Sequence, residues 1–209
     1  MALQFANAGH KVLAISRKTP KELIEHSNIT CLSIDLSSEM ELYKVSDFLA
    51  QTWKMVDVII HNAGSLLLKP FSQTSQEDFE AVYKVNVFAV ANLTRVCLPF
   101  LQKGSHVVTI SSMGGIQGSL KFAGLAAYSS SKGAVITLSE LLAEEYREQG
   151  ISFNVLALGA VQTEMLQEAF PGYEAPLSAK EMADYIVDFS LNGTKFFNGR
   201  VIQVSSSTP

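Results

Sequence analysis

Six short apolar runs punctuate the sequence, at 11–15, 29–34, 56–60, 106–110, 151–158 and Val201–Val204. None alternates strictly between apolar and polar residues. Strands of that kind are buried on both faces, which requires helices above and below the sheet. Helical patterns fill the gaps at 38–53, 75–102, 126–149 and 178–191. Two of them open with helix-start chemistry: Ser75 followed by Glu77 and Asp78, and Ser178 three residues ahead of Glu181. Strand and helix in alternation predict an α/β fold, a doubly wound, three-layer sandwich around a mostly parallel sheet. A length of 209 residues fits one domain, 1–209, with a sizeable core.

Composition narrows the function classes. The net charge of −4 offers no basic excess to neutralise phosphates, so neither nucleic acid nor an anionic membrane is an expected partner. No apolar run approaches the roughly 18 residues of a membrane span. Cys31 and Cys97 lack metal-ligand spacing, so no metal site is expected, and free thiols suit a reducing, cytoplasmic setting. Residues 1–8 read as the last turns of a helix stopped by Gly9 rather than as a cleaved leader. The helix at 75–102 is apolar almost all round, so something besides the sheet must cover it. Either another part of this chain does so, or a second subunit, as in a homodimer or homotetramer.

Chemistry gathers behind the strand ends. Tyr128 and Lys132 stand four apart on one helix, hence on one face. A phenol titrates near pH 10, and an adjacent ammonium favours its ionised form, so the pair suits proton exchange with a carbonyl or alcohol oxygen. Alone, the spacing is common on solvated helices. Ser112 closes the run 106–110 with Ser111, where a hydroxyl can meet a substrate oxygen or simply begin a turn. Asn62, Ala63 and Gly64 follow the run 56–60, where small residues let a flat ligand approach the backbone. Asp35 and Leu36 close the run 29–34; Asp35 can accept from an exocyclic amine or help cap the next helix with Ser37 and Ser38.

Taken in this order, the chain resembles the short-chain dehydrogenase/reductase family, in its single-domain form, from Ala2 to Val204. The resemblance rests on Asp35-Leu36, Asn62-Ala63-Gly64, Asn86, Ser112, Tyr128-x-x-x-Lys132 and the stretch Gly159-Ala160-Val161-Gln162-Thr163. It implies an oxidoreductase that moves a hydride between NADP(H) or NAD(H) and a small carbonyl or alcohol substrate. Tyr128 would be general acid and base. Lys132 would lower the tyrosine pKa and bind the nicotinamide ribose. Ser112 would position the substrate oxygen, and Asn86 would hold a relay water behind Lys132. Val161 and Thr163, after Gly159, would hold the carboxamide. Ser16 stands where an acid would favour NAD, and Arg17 follows, so NADP(H) is expected over NAD(H). Leu158 replaces a common Pro, and His61 replaces an Asn, which reads as a structural strand-end residue. The stretch 164–177, with Met165 and Phe170, and the insert around Phe122 are expected near the substrate pocket.

One departure is large. The family opens with a strand and a Gly-rich turn whose N–H groups hold the pyrophosphate. Gly9 is the only glycine before Gly64, so the first βα unit is not legible here. The run 11–15 should then lack its inner neighbour. Two readings follow: a truncated oxidoreductase, or a catalytically silent homologue that serves as an oligomerising or regulatory module.

Overall fold

All six apolar runs become parallel strands in the computed structural model, which describes residues 1–205. They are β1 (Val12–Ser16), β2 (Ile29–Ser33), β3 (Val58–His61), β4 (His106–Ser112), β5 (Ser152–Leu158) and, after two short strands, β8 (Val201–Val204). The extra pair, β6 (Val161–Gln162) and β7 (Leu177–Ser178), is too short to leave a periodic signature. The helices are α1 (Ala2–Asn7), α2 (Lys21–Ile24), α3 (Glu39–Phe48), α4 (Gln76–Tyr83), α5 (Ala89–Cys97), α6 (Ala126–Glu145), α7 (Glu164–Ala169) and α8 (Ala179–Asn192). The expected capping box of Ser178 with Glu181 forms, and the expected cap at Ser75 forms as a full box with Asp78. Ser38 precedes α3 without a side-chain cap bond.

Alternate strand residues feed two cores, which makes the three layers. Val107 and Phe153 face one way, into a cluster with Leu42, Val45, Leu93 and Ala143 from α3, α5 and α6. Val108 and Leu156 face the other way, against Met182, Ile186 and Phe189 of α8. Strand β4 carries six consecutive buried residues, as a strand with neighbours on both edges and helices on both faces should.

The stretch Gln76–Phe100 is one continuous helical rod with a π-turn, Lys84–Phe88, in its middle. Among the described residues it is the one helix long and apolar enough to match a membrane span. Its inner face buries Val82, Asn86, Ala89, Leu93 and Cys97 against the rest of this chain. Phe88 remains exposed on the opposite side, so the chain covers part of the apolar circumference and leaves part open.

The sheet is interrupted where the sequence suggests. Strands run in the order β3-β4-β5-β8, while among the described residues β1 pairs only with β2. Between β1 and β3 lies a cavity of about 830 Å³, walled by both strands and closed by residues that include Leu49, Leu93 and Phe5.

Candidate active site

Strand β4 ends at Ser112, and the 3₁₀ turn Met113–Gly115 begins there, with the Ser112 hydroxyl accepting from the Gly114 N–H at 3.2 Å. Helix α6 packs directly on that turn. A Cβ at Gly115 would lie 2.7 Å from the Lys132 carbonyl carbon, so only glycine allows this approach. Ser111 strengthens the seat by donating its hydroxyl to the Lys132 carbonyl at 2.8 Å. The result brings Ser112, Tyr128 and Lys132 together at the carboxyl end of the sheet.

Lys132 is 6% exposed, and its Nζ donates to the Ile110 carbonyl at 2.9 Å. Burial lowers its pKa to about 8. The ammonium stands 5.8 Å from the centroid of the Tyr128 ring. Burial raises the Tyr128 pKa above its ordinary value, and a hydrogen bond with Ser112 pulls partly the other way. Desolvation is the larger of the two effects on the phenol, and Lys132 directs its Nζ to the Ile110 carbonyl.

Asn86 enters from the π-turn, which breaks the α-helical register at the point where the amide must face inward. Its Oδ1 accepts from the Ser65 N–H at 2.7 Å, and its Nδ2 donates to the Ser65 carbonyl and the Ser131 hydroxyl, both at 2.9 Å. Ser131 in turn donates to the Tyr128 carbonyl at 2.6 Å. The amide thus ties the turn after β3 to the helix of Tyr128. A Cβ on Gly64 would lie 3.6 Å from both Asn86 Oδ1 and Lys132 Nζ, so Gly64 belongs to the same cluster. Ser65, Ser131 and Gly115 are the residues that sequence reasoning missed. The signal for Ser131 was its place between Tyr128 and Lys132, three residues along the helix from Tyr128.

The remaining candidates spread along the strand ends. Asn62 and Ala63 are exposed and border the cavity, as does the half-buried Leu36. Asp35 accepts from the Ser37 N–H at 2.9 Å, and that turn, with the Arg17 and Lys84 charges nearby, holds its carboxyl below the usual range. Arg17 is exposed just past β1. Gly159 hugs Ser205, with a virtual Cβ 2.3 Å from its hydroxyl. Val161 pairs with Leu177 in β6, and Thr163 caps α7 through a bond from the Leu166 N–H. Met165 reaches 4.0 Å from a Cβ on Gly64, and Phe122 meets Phe170 edge-on at 6.2 Å. The two segments read as pocket neighbours therefore meet each other, and one of them reaches the cluster through Met165. His61 is buried, bonded to Thr94 at 2.8 Å, and kept neutral by a pKa lowered to about 4.

Comparison with known proteins shows the family. Residues 1–174 match the family described as short chain dehydrogenase. An NADPH-dependent pterin aldehyde reductase from Arabidopsis thaliana is 31% identical over 189 residues, covering 84% of this chain and 76% of that protein. A short chain dehydrogenase structure from Salmonella enterica serovar Typhi superposes with a TM-score of 0.86 at 27% identity, over 97% of this chain and 88% of that one. The structure of ElxO with NADP bound shares the fold at a TM-score of 0.83 and 24% identity, over 97% and 90% of the two chains. The family match over residues 1–174, with the fold, shows that the chain belongs to the short chain dehydrogenase family.

Proposed function

We propose that this chain is a carbonyl reductase or alcohol dehydrogenase that uses NADP(H), with Tyr128 as its general acid and base. The observation that carries this reading is the meeting of Ser112, Tyr128 and Lys132 behind β4, with Asn86 and Gly64 locked beside them. The neutral phenol, kept protonated by burial, donates its proton to the oxygen of the reduced carbonyl. Ser112 hydrogen-bonds the same oxygen. Lys132, with a pKa near 8, keeps a mobile proton close to the phenolate that forms. Asn86, with Ser131 and the Ser65 backbone, holds the relay behind Lys132 in register.

The residues present fit the two ends of a nicotinamide dinucleotide. At one end Gly64 lies against Lys132 and Asn86, where a small residue suits the approach of a flat ring, and Val161 and Thr163 are the proposed carboxamide partners. At the other, Arg17 beside Asp35 suits a ribose 2′-phosphate, which favours NADP(H) over NAD(H). A glycine-rich turn for the pyrophosphate is not among the described residues. When bound, the reduced nicotinamide supplies the hydride, and the protein supplies orientation and the proton.

The substrate class is a small carbonyl or alcohol bordered by Met165 and the Phe122–Phe170 contact. Further parts of the proposal are a single domain, a homodimer or homotetramer built on the exposed Phe88 face, and a cytoplasmic setting suited to two free thiols. The test is NADPH oxidation against a panel of aldehydes and ketones, followed at 340 nm (from the reduced nicotinamide). Turnover by the native chain and its loss in Tyr128→Phe support the reading. Equal turnover in both refutes the role of Tyr128, and no turnover in either with no NADPH binding returns the silent module.

A further inference from the structure

Strand β4 begins with a histidine that is 1% exposed, at the opposite end of the strand from Ser112. The partners of His106 fix the place of its proton. Nδ1 lies 2.9 Å from the Ser190 carbonyl of α8, which can only accept, so Nδ1 carries the hydrogen. Nε2 is then an acceptor, and Nδ2 of the buried Asn154 on β5 donates to it at 3.0 Å. Two backbone groups set the orientation of that amide. Its Nδ2 also donates to the Phe197 carbonyl, and its Oδ1 accepts from the Arg200 N–H, both at 3.0 Å. Ring, amide and the turn at 197–200 thus form one chain in which every donor meets an acceptor.

A second proton on the ring has no place in that chain. It sets an Nε2–H against the Asn154 NH2 group, donor to donor. Turning the amide over brings Oδ1 to the new N–H, but it also sets that oxygen against the Phe197 carbonyl and the NH2 group against the Arg200 N–H. Buried mismatches of this kind are costly, so relief requires the turn to move. Among the described residues no counter-charge acts on the ring. The ionisable side chains of the elements packed around it are Asp57 ahead of β3, Tyr185 and Asp188 on α8, and Arg200. Asp188 accepts from Asn192, Tyr185 stacks on Phe189, and the influences on the ring are burial, which lowers its pKa, and the Ser190 carbonyl, which raises it. The turn itself docks the start of β8 on β5. Gly199 N–H donates to the Phe153 carbonyl at 2.8 Å, Asn198 Oδ1 accepts from the Phe153 N–H at 3.0 Å, and the Arg200 carbonyl accepts from the Val155 N–H at 2.8 Å. Phe197 packs 6.0 Å from Phe189, whose ring lies 5.5 Å from His106.

We propose that His106 and Asn154 form a proton-operated latch. With the ring neutral, the turn at 197–200 is held on β5; a second proton on the ring releases the turn, frees the start of β8 and parts Phe197 from Phe189. Burial keeps the folded ring below the ordinary histidine value of 6.5, so between those two values the open form binds a proton that the closed form does not. The latch is therefore closed above pH 6.5 and opens as pH falls. Each pH unit in that window multiplies the open population by up to about tenfold. The latch does not depend on hydride transfer, so its test can fail while the enzymatic reading stands.

The test is amide hydrogen exchange by residue on the full chain, in low urea, read as protection factors (which remove the intrinsic pH dependence of exchange). The nitrogen signals of the histidine rings are read beside it. At pH 7 the His106 ring is expected in its Nδ1–H form. Between pH 7 and pH 5, protection at Gly199 and Arg200 is expected to fall about tenfold or more without depending on urea, as a local opening does. Leu13 and Ile15, on a strand that opens by another route, are expected to keep theirs. His106→Gln retains a donor and an acceptor but no titrating proton, and protection at the turn is expected to be flat across the same range. Unchanged protection at the turn in the native chain would overturn the proposal. So would a fall that persists in His106→Gln, or one that carries the same urea dependence as Val107 and so reports global unfolding. A His106 ring in the Nε2–H form at pH 7 would overturn it without any variant.

Discussion

Strands β4 and β1 come from sequence runs of much the same kind, short and almost wholly apolar, yet they meet different fates. Strand β4 has a neighbour on each edge and buries six of its seven residues. Strand β1 has a neighbour on one edge and fully buries none of its five. The apolar pattern thus encodes the burial that a complete sheet would give, and the missing neighbour withholds it. The proposed proton-transfer cluster sits beside the complete half, on β4, α6, the turn after β3 and the π-turn of Asn86. Arg17 and Asp35 sit on the incomplete half. In the proposed function, proton transfer and dinucleotide selectivity are divided by the slot between β1 and β3.

The largest effect that can sharpen this contrast is catalytic. Tyr128→Phe is expected to lower turnover about 10³-fold, in the range for loss of a general acid, while the melting curve stays unchanged. A steady-state NADPH assay beside a thermal melt checks both. Next come paired truncations, one in each half. Leu156→Ala removes a side chain with 0% exposure and is expected to cost about 3–4 kcal/mol in urea unfolding. Leu13→Ala, on the half-exposed β1, is expected to cost about 1 kcal/mol. Equal costs would mean that the two halves are packed alike.

Titration gives the third effect. His61 has a folded pKa of about 4, lowered by burial, against 6.5 when exposed. Between those values the unfolded chain binds a proton that the folded chain does not. Its contribution is therefore whole above pH 6.5 and lost as pH falls toward 4, by about 3 kcal/mol. In His61→Asn the urea midpoint should fall less steeply over that window. An identical slope would assign acid sensitivity to other groups. The smallest effect concerns the seat of α6. Gly115→Ala places a methyl 2.7 Å from the Lys132 carbonyl carbon and is expected to cost about 1–3 kcal/mol, with a further drop in kcat as Lys132 shifts.

Much of this was legible in the residues. Continuous apolar runs located all six long strands, and Val201–Val204 was placed to the residue, because two-sided burial leaves little freedom in composition. The gap beside β1 was legible because Gly9 stands alone before Gly64. Tyr128, Lys132 and Ser112 were found by spacing and position, and they do meet. What stayed hidden depends on contacts between distant segments. Asn86 bonding Ser65 and Ser131 spans 21 and 45 residues, and no local pattern encodes it. The π-turn that aims Asn86 has no periodicity of its own. The rise in the Tyr128 pKa follows from how deeply α6 is packed, which spacing on one helix cannot report.

Amide hydrogen exchange of the native chain, without nucleotide, tests the divided sheet most directly. Val107, Val108 and Val155 are expected to exchange only through global unfolding, while Leu13, Ile15, Val58 and Ile60 exchange orders of magnitude faster through their open edges. Protection at Leu13 and Ile15 equal to that at Val107 would contradict the divided sheet and show that the slot is already closed.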